Sequence, residues 1–201
     1  MALCHDVIPE KTESGIKLSA SNPDDEALVC AANYFGVEFR DRRDKSAILY
    51  DTTSKVEEEV VVLETIAFTS KRKRMSVICM GKDGSIWIYM KGADTAMFPR
   101  FKTGQEVKLD KVNDHIGEYS NEGLRCLLLG YAEIDKIMFE TWHTKYKAAT
   151  SDMSQIEKSK KGLPNLIETL QDEIEVNMLL AGATAIEDRL QKGVPEAVEA
   201  L

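Results

Sequence analysis

Apolar and polar positions alternate in blocks along this chain, and each block has its own period. Over residues 22–36, "NPDDEALVCAANYFG", apolar side chains recur every three or four positions. Leu28, Ala31, Ala32 and Phe35 fall on one stripe, so the spacing predicts an amphipathic helix. The punctuation agrees: Asn22 can cap, Pro23 suits the first turn, acids follow where the helix dipole favours them, and Gly36 stops it. The period then changes. "SAILYD" (46–51) and "VEEEVVVLETIAF" (56–68) read as strands, the second rich in valine. "RMSVICMGKDGSIWIYMK" (74–91) is two apolar runs around Asp83-Gly84, a two-residue hairpin signal. Such a loop sets Lys82 opposite Ser85, Ile78 opposite Tyr89 and Ser76 opposite Lys91. Bulky apolar groups on both faces predict a central place in a covered sheet.

Beyond Lys91 the chain turns at Gly92 and is expected to form a short helix over 94–101. "RCLLLGYAEI" (125–134) reads as another buried strand. "KIMFETWHTKYKAA" (136–149) is amphipathic, with Ile137, Trp142 and Tyr146 toward one face. The polar stretch 150–162 is expected to be a mobile surface segment. "NLIETLQDEIEVN" (165–177) reads as a second amphipathic helix, "MLLAGATAI" (178–186) as a strand, and "VPEAVEAL" (194–201) as the start of a further helix. No internal repeat is visible.

Composition narrows the class. With 201 residues, 43% hydrophobic and 30% charged, the chain suits one globular domain, with room for a fragment of a neighbour. A formal charge of −8 argues against broad nucleic-acid binding, which needs a basic face. Cys4, Cys30, Cys79 and Cys126 are far apart and form no CxxC pair, so they are expected to be reduced thiols rather than a disulfide framework. "MALCHDVIPE" lacks the features of a signal peptide, and the apolar stretch 178–186 is too short to span a bilayer.

Against that acidic background, Lys71, Arg72, Lys73 and Arg74 stand in a row, with Phe68 just ahead. If "TSKRK" is the turn between two adjacent strands, the cations sit at a sheet edge beside an aromatic ring. Phosphate suits such charge and an aromatic face can stack a base; a solvated basic turn is the alternative. In "MKGADTAM", Gly92 permits close approach of backbone to a ligand, and Lys91 leaves a strand face shared with Trp87 and Tyr89. A lysine snorkelling to water from a strand end is the plainer reading. In "NEGLRCLLLGY", Arg125 opens a strand after a glycine-containing loop, placed either to hold phosphate or to pair with a carboxylate. There is no GxxxxGK[ST] or GxGxxG loop, the three histidines show no metal-ligand spacing, and no nucleophile elbow is present.

Several phrases occur together in order: "NPDDEALV", "FTSKRKRMSVI", "YMKGAD", "NEGLRCLLLGYAEI" and "LLAGATAIEDRLQKGVPEAVEAL". With the opening "ALCHDVIPE", they resemble the cytoplasmic nucleotide-binding domain of type-IV P-type ATPases, the phospholipid flippases, over nearly the whole chain. "TAIEDRLQ" looks more like this branch than the cation pumps. The resemblance implies an α+β fold, a twisted and mainly antiparallel sheet flanked by helices. It divides the chain into a nucleotide-binding domain, 1–178, and the fringe of a phosphorylation domain, 179–201. The phosphate-accepting "DKTGT" and downstream "TGD" motifs of the family are absent, so an excised domain is expected.

The resemblance also implies an ATP site. Phe68 matches the adenine-stacking aromatic; Ser70, Lys73 and Met75 match positions near the nucleotide, with Lys73 toward the phosphates. Lys91 matches the pocket lysine, Gly92 and Ala93 its floor, and Arg125 the arginine that reaches the phosphates. The family usually writes "PDEAAL" where this chain has "PDDEAL". The adenine-facing acid therefore falls on Asp25, with Glu26 in reserve, turned about 100° around the helix. The expected ligands are ATP and Mg²⁺, the latter held mainly by the nucleotide and the phosphorylation domain. No catalytic residue and no metal site is expected in this chain. The expected partners are the phosphorylation and actuator domains of the same protein, with an accessory membrane subunit allowed for and no nucleic acid. The domain is expected to be cytoplasmic, within a protein of the plasma membrane or an endomembrane. A cation-pump domain, or a non-enzymatic module whose basic run binds acidic protein or anionic lipid, are the alternatives.

Overall fold

The computed structural model describes residues 1–12 and 15–187; the helix expected over 194–201 lies outside them. A small hairpin of β1 (Ile8–Thr12) and β2 (Gly15–Ser19) precedes helix α1 (Pro23–Tyr34). The chain then lays down β3 (Val37–Arg43), β4 (Ser46–Asp51), β5 (Val56–Ile66), β6 (Arg74–Met80) and β7 (Ile86–Gly92). A short helix α2 (Asp94–Met97) and a 3-10 turn lead to α3 (Glu106–Asn121). Next come β8 (Arg125–Ile134), α4 (Lys136–Ser151), α5 (Met153–Lys160), α6 (Leu166–Ile174) and β9 (Leu179–Ile186). Strands β3 to β9 pair in chain order as one antiparallel sheet, with β6 and β7 near its centre. This is the α+β architecture expected, a curled antiparallel sheet with flanking helices.

The pleat divides the side chains of β6 between two layers. Ile78, with Ile66, Ile88 and Met90 of neighbouring strands, meets Trp142, Leu170 and Ile174 from α4 and α6. Met75, Val77 and Cys79 point the other way, toward Val29 of α1, Phe39 and the N-terminal segment. Both faces of β6 and β7 are therefore covered, which explains their continuous apolar runs.

Helix α1 begins as its sequence predicts. Asn22 Oδ1 accepts the Asp24 N–H at 3.1 Å, and Pro23 occupies the first turn. Its buried face is Leu28, Val29 and Ala32, however, with Phe35 73% exposed. The helix ends at Tyr34, so Phe35 is a cap residue that leaves the stripe. On α4 the buried residues are Phe139, Trp142, Tyr146 and Ala149, while Ile137 faces solvent. The polar stretch 150–162 contains α5, started by Asp152, whose carboxylate accepts the Ser154 N–H at 2.8 Å.

The hairpin register differs by one residue from the two-residue loop. Gly84 N–H donates to Gly81 O at 3.0 Å, Gly81 N–H donates to Ser85 O at 2.8 Å, and Gly84 takes φ of +81°. That is a three-residue loop with glycine in the left-handed position. Ile78 consequently faces Ile88, Ser76 faces Met90, and Met75 faces Lys91. The one-residue change moves Ser76 to the opposite side of the sheet from Lys91 and puts Met75 beside it.

Candidate functional site

A cavity of about 360 Å³ opens where β6 begins and β7 ends, on the α1 side of the sheet. Its floor is Met75, Lys91, Gly92 and Ala93. The approach here is close: a Cβ on Gly92 would lie 2.6 Å from Arg74 Cβ and 2.7 Å from Lys73 O. Ala93 N–H donates to that same Lys73 carbonyl at 3.0 Å. One wall is the start of α1, with Asn22, Asp24 and Asp25; Leu127 of β8 closes another side. Phe68, on the connection between β5 and β6, lines the mouth with its side chain 54% exposed. An exposed aromatic ring at the mouth of a cavity is available for stacking.

The charges around the cavity are largely paired. Asp25 and Lys91 are 4% and 6% exposed, and Lys91 Nζ donates to Asp25 Oδ1 at 2.5 Å. The other Asp25 oxygen accepts the Asp6 N–H at 3.0 Å. Arg125 Nη2 donates to Asp24 Oδ1 at 2.6 Å at the rim. Lys73 lines the cavity and has no ion-pair partner among the described residues. Its φ of +53° is a left-handed conformation sparsely occupied by residues with a side chain.

The basic run has a double fate. Lys71 pairs with Glu168 at 2.6 Å, Arg72 pairs with Glu175, and Arg74 pairs with Glu175 at 2.6 Å and Asp172 at 2.5 Å. These three cations face the acids of α6 and its C-cap on the far side of the sheet, and Lys73 alone of the four lines the cavity. Spacing within the run could not show this, because the acids lie about a hundred residues away in sequence.

Beneath the cavity the N-terminal segment is buried. His5 is 1% exposed; its Nε2–H donates to Ala2 O at 2.9 Å, and Nδ1 accepts the Val7 N–H at 3.1 Å. Burial, outweighing the bond to Ala2, lowers its pKa to about 4. Burial likewise pushes the Cys4 thiol up to about 11 and that of Cys79 to about 12, so both stay protonated and unreactive. Cys30 is exposed, and all four cysteines are free. Among the described residues, no group of His, Cys, Asp or Glu is placed to hold a metal ion, and no helix is long and apolar enough to cross a membrane.

The family model for the P-type ATPase cytoplasmic domain N matches residues 1–193. The chain belongs to that family. The whole chain is 38% identical to probable phospholipid-transporting ATPase 4 of Arabidopsis thaliana, covering 16% of that protein. It is 37% identical to phospholipid-transporting ATPase ID of Homo sapiens, again over the whole chain and 16% of the relative. The chain spans about a sixth of the length of these curated relatives.

In this N domain, seven of the nine residues singled out in the sequence line the cavity: Asp25, Phe68, Lys73 and Met75 on one side, and Lys91, Gly92 and Ala93 on the other. Ser70 is exposed on the turn and does not line it. Arg125 stands at the rim through its partner Asp24. Glu26 is exposed and off the cavity, as the helical turn from Asp25 requires. Four lining residues had not been singled out by sequence, Asp6, Ser21, Asp24 and Leu127, and Asn22 had been read only as a cap. Asn22 and Asp24 carried a signal, as the cap and first turn of a helix that points at the site. Asp6 carried none.

Proposed function

We propose that this N domain binds ATP in the cavity beside Phe68 and presents its γ-phosphate to a phosphorylatable aspartate outside the chain. The full-length protein is then an ATP-driven translocase that flips phospholipid across a plasma membrane or endomembrane. The observation that carries this reading is the convergence on one cavity of an exposed aromatic ring, a glycine floor and Lys73, which has no ion-pair partner among the described residues. The relatives' names supply the phospholipid and the larger enzyme. In the proposed arrangement Phe68 stacks the adenine and Lys91, oriented by Asp25, lines the base side. Met75 and the Gly92–Ala93 floor support the base, Ser70 is near the nucleotide, and Lys73 and Arg125 face the phosphates. Arg125 would exchange Asp24 for a phosphate oxygen.

Asp25 and Asp24 are offset by Lys91 and Arg125, which leaves Lys73 and the Phe68 ring for an anionic aromatic ligand, and among the described residues no group of acids is placed to hold a bare divalent cation. Mg²⁺ would therefore arrive with the nucleotide and be held by the neighbouring phosphorylation domain. That domain and the actuator domain are the proposed partners, along with an accessory membrane subunit. The proposed division at 178/179 makes β9 a strand lent to this sheet, and a chain ending at Met178 should keep its cavity. Unfolding on that truncation would move the boundary beyond Ile186.

Nuclear magnetic resonance titration tests the pocket reading. ATP should shift signals of Phe68, Lys91 and Arg125 together. Shifts confined to residues 71–74, produced by acidic polymers and not by ATP, would replace the nucleotide reading with a basic interaction surface.

A further inference from the structure

We propose that Glu175, on the face of the sheet away from the cavity, is the positioning residue that aims Lys73 at the phosphates of the nucleotide. The proposal rests on the ATP reading above. Glu175 is 0% exposed and terminates α6. One carboxylate oxygen accepts from Arg72 and, at 2.5 Å, from Ser76 Oγ; the other accepts from Arg74 Nε at 2.6 Å. Arg72 and Arg74 flank Lys73 in sequence, so both of its neighbours are drawn to the far side. Further bonds fix them: Arg72 Nη1 donates to Ala67 O at 2.8 Å, Arg74 Nη1 to Arg72 O at 3.1 Å, and Arg74 Nη2 to Asp172 Oδ1 at 2.5 Å.

The residue between them has one course left. Lys73 takes its left-handed φ of +53° and bonds through its carbonyl to Ala93 N–H in the cavity floor. A buried carboxylate shared by two guanidiniums has little freedom, because losing either partner leaves a charge without solvent or counter-charge. The clamp thus substitutes for a glycine at a position that must carry a cation. Ser76 reaches it because of the register that turns Ser76 away from Lys91.

The experiment uses the 201-residue chain with Glu175→Gln, titrated with ATP and with adenosine. ATP affinity should fall about five- to tenfold while adenosine affinity stays within about twofold. Lys73→Ala should show the same split, and the double variant should lose little more than either single one, since coupled residues are non-additive. Asp172→Asn, at an exposed carboxylate that among the described residues holds Arg74 and Arg100, serves if Glu175→Gln does not fold. It should lower ATP affinity about twofold. Amide exchange at Ala93 should accelerate in either variant, a readout that needs no nucleotide. A folded Glu175→Gln that binds ATP like the parent, loses ATP and adenosine equally, or leaves Ala93 exchange unchanged would overturn the proposal. A parent chain that binds no ATP would instead remove the nucleotide reading, and Ala93 exchange would still judge the clamp.

Discussion

Lys91 in the cavity and Arg125 at its rim stand in different surroundings, which set what each can sense. Lys91 is buried against Asp25, whereas Arg125 is tied to Asp24 at a solvent-exposed rim. On the proposed arrangement, Lys91→Ala weakens ATP, ADP and AMP alike, because it removes a contact on the base side. Arg125→Ala penalises ATP and ADP more than AMP, because a guanidinium at the rim meets the outer phosphates. Titrating the three nucleotides against both variants checks this; equal losses for Arg125→Ala would remove the arginine from the phosphate side. His5 makes a separate prediction for stability. Its pKa is lowered from 6.5 to about 4 in the fold, so between those values the unfolded chain binds more protons. The stabilisation is complete above pH 6.5 and is lost as pH falls toward 4. Linkage puts the loss at about 2 kcal/mol between pH 7.5 and pH 5. Thermal unfolding of the parent and His5→Asn across that range should show a shallower acid limb in the variant.

At the scale of elements, the sequence was most legible where burial imposes a period. The strand 125–134 and α1 with its cap stand where the pattern puts them, and so does the central hairpin. Elements that bury little were silent. Only Ile116 is buried among the sixteen residues of α3, where half-buried Leu109 and Val112 extend it into a short stripe among charged residues, and α5 buries none. The hairpin slip has a different cause. Asp83-Gly84 marks a turn, but whether two or three residues form the loop depends on which of them takes the left-handed conformation. The cavity was legible through Phe68, Lys91 and Gly92 because they contrast with their neighbours. Asp6 and Leu127 come from other elements and are ordinary where they stand. Gly92 supplies the test at this scale. Gly92→Ala forces its new Cβ against backbone of the β5–β6 turn, at 2.7 Å from Lys73 O. Overpacking of this kind costs about 1–3 kcal/mol. Denaturant unfolding should show that loss, together with weaker ATP binding; a variant as stable as the parent would mean the floor is looser than it stands here.

For the whole molecule, the chain is one domain of a family whose relatives are about six times longer. On the proposed reading the domain holds the base and one end of the phosphates, and the groups that would grip Mg²⁺ and accept the γ-phosphate lie elsewhere. It should therefore bind ATP with a dissociation constant on the order of high micromolar to millimolar, about −4 to −5.5 kcal/mol. Raising salt should weaken it, since Lys73 and the Arg125 rim are exposed to screening. The isolated chain should release no phosphate, because positioning and charge stabilisation at the γ-phosphate are most of what phosphoryl transfer requires. Sustained hydrolysis that survives purification and disappears with Phe68→Ala would place a complete catalytic centre here. The most direct measurement of the central claim is a calorimetric titration of ATP into the parent chain and into folded Phe68→Ala. Loss of base stacking is expected to weaken binding by about 1–3 kcal/mol, with Phe68→Trp closer to the parent. Equal affinity in the parent and in folded Phe68→Ala would contradict the stacking site on which the account is built.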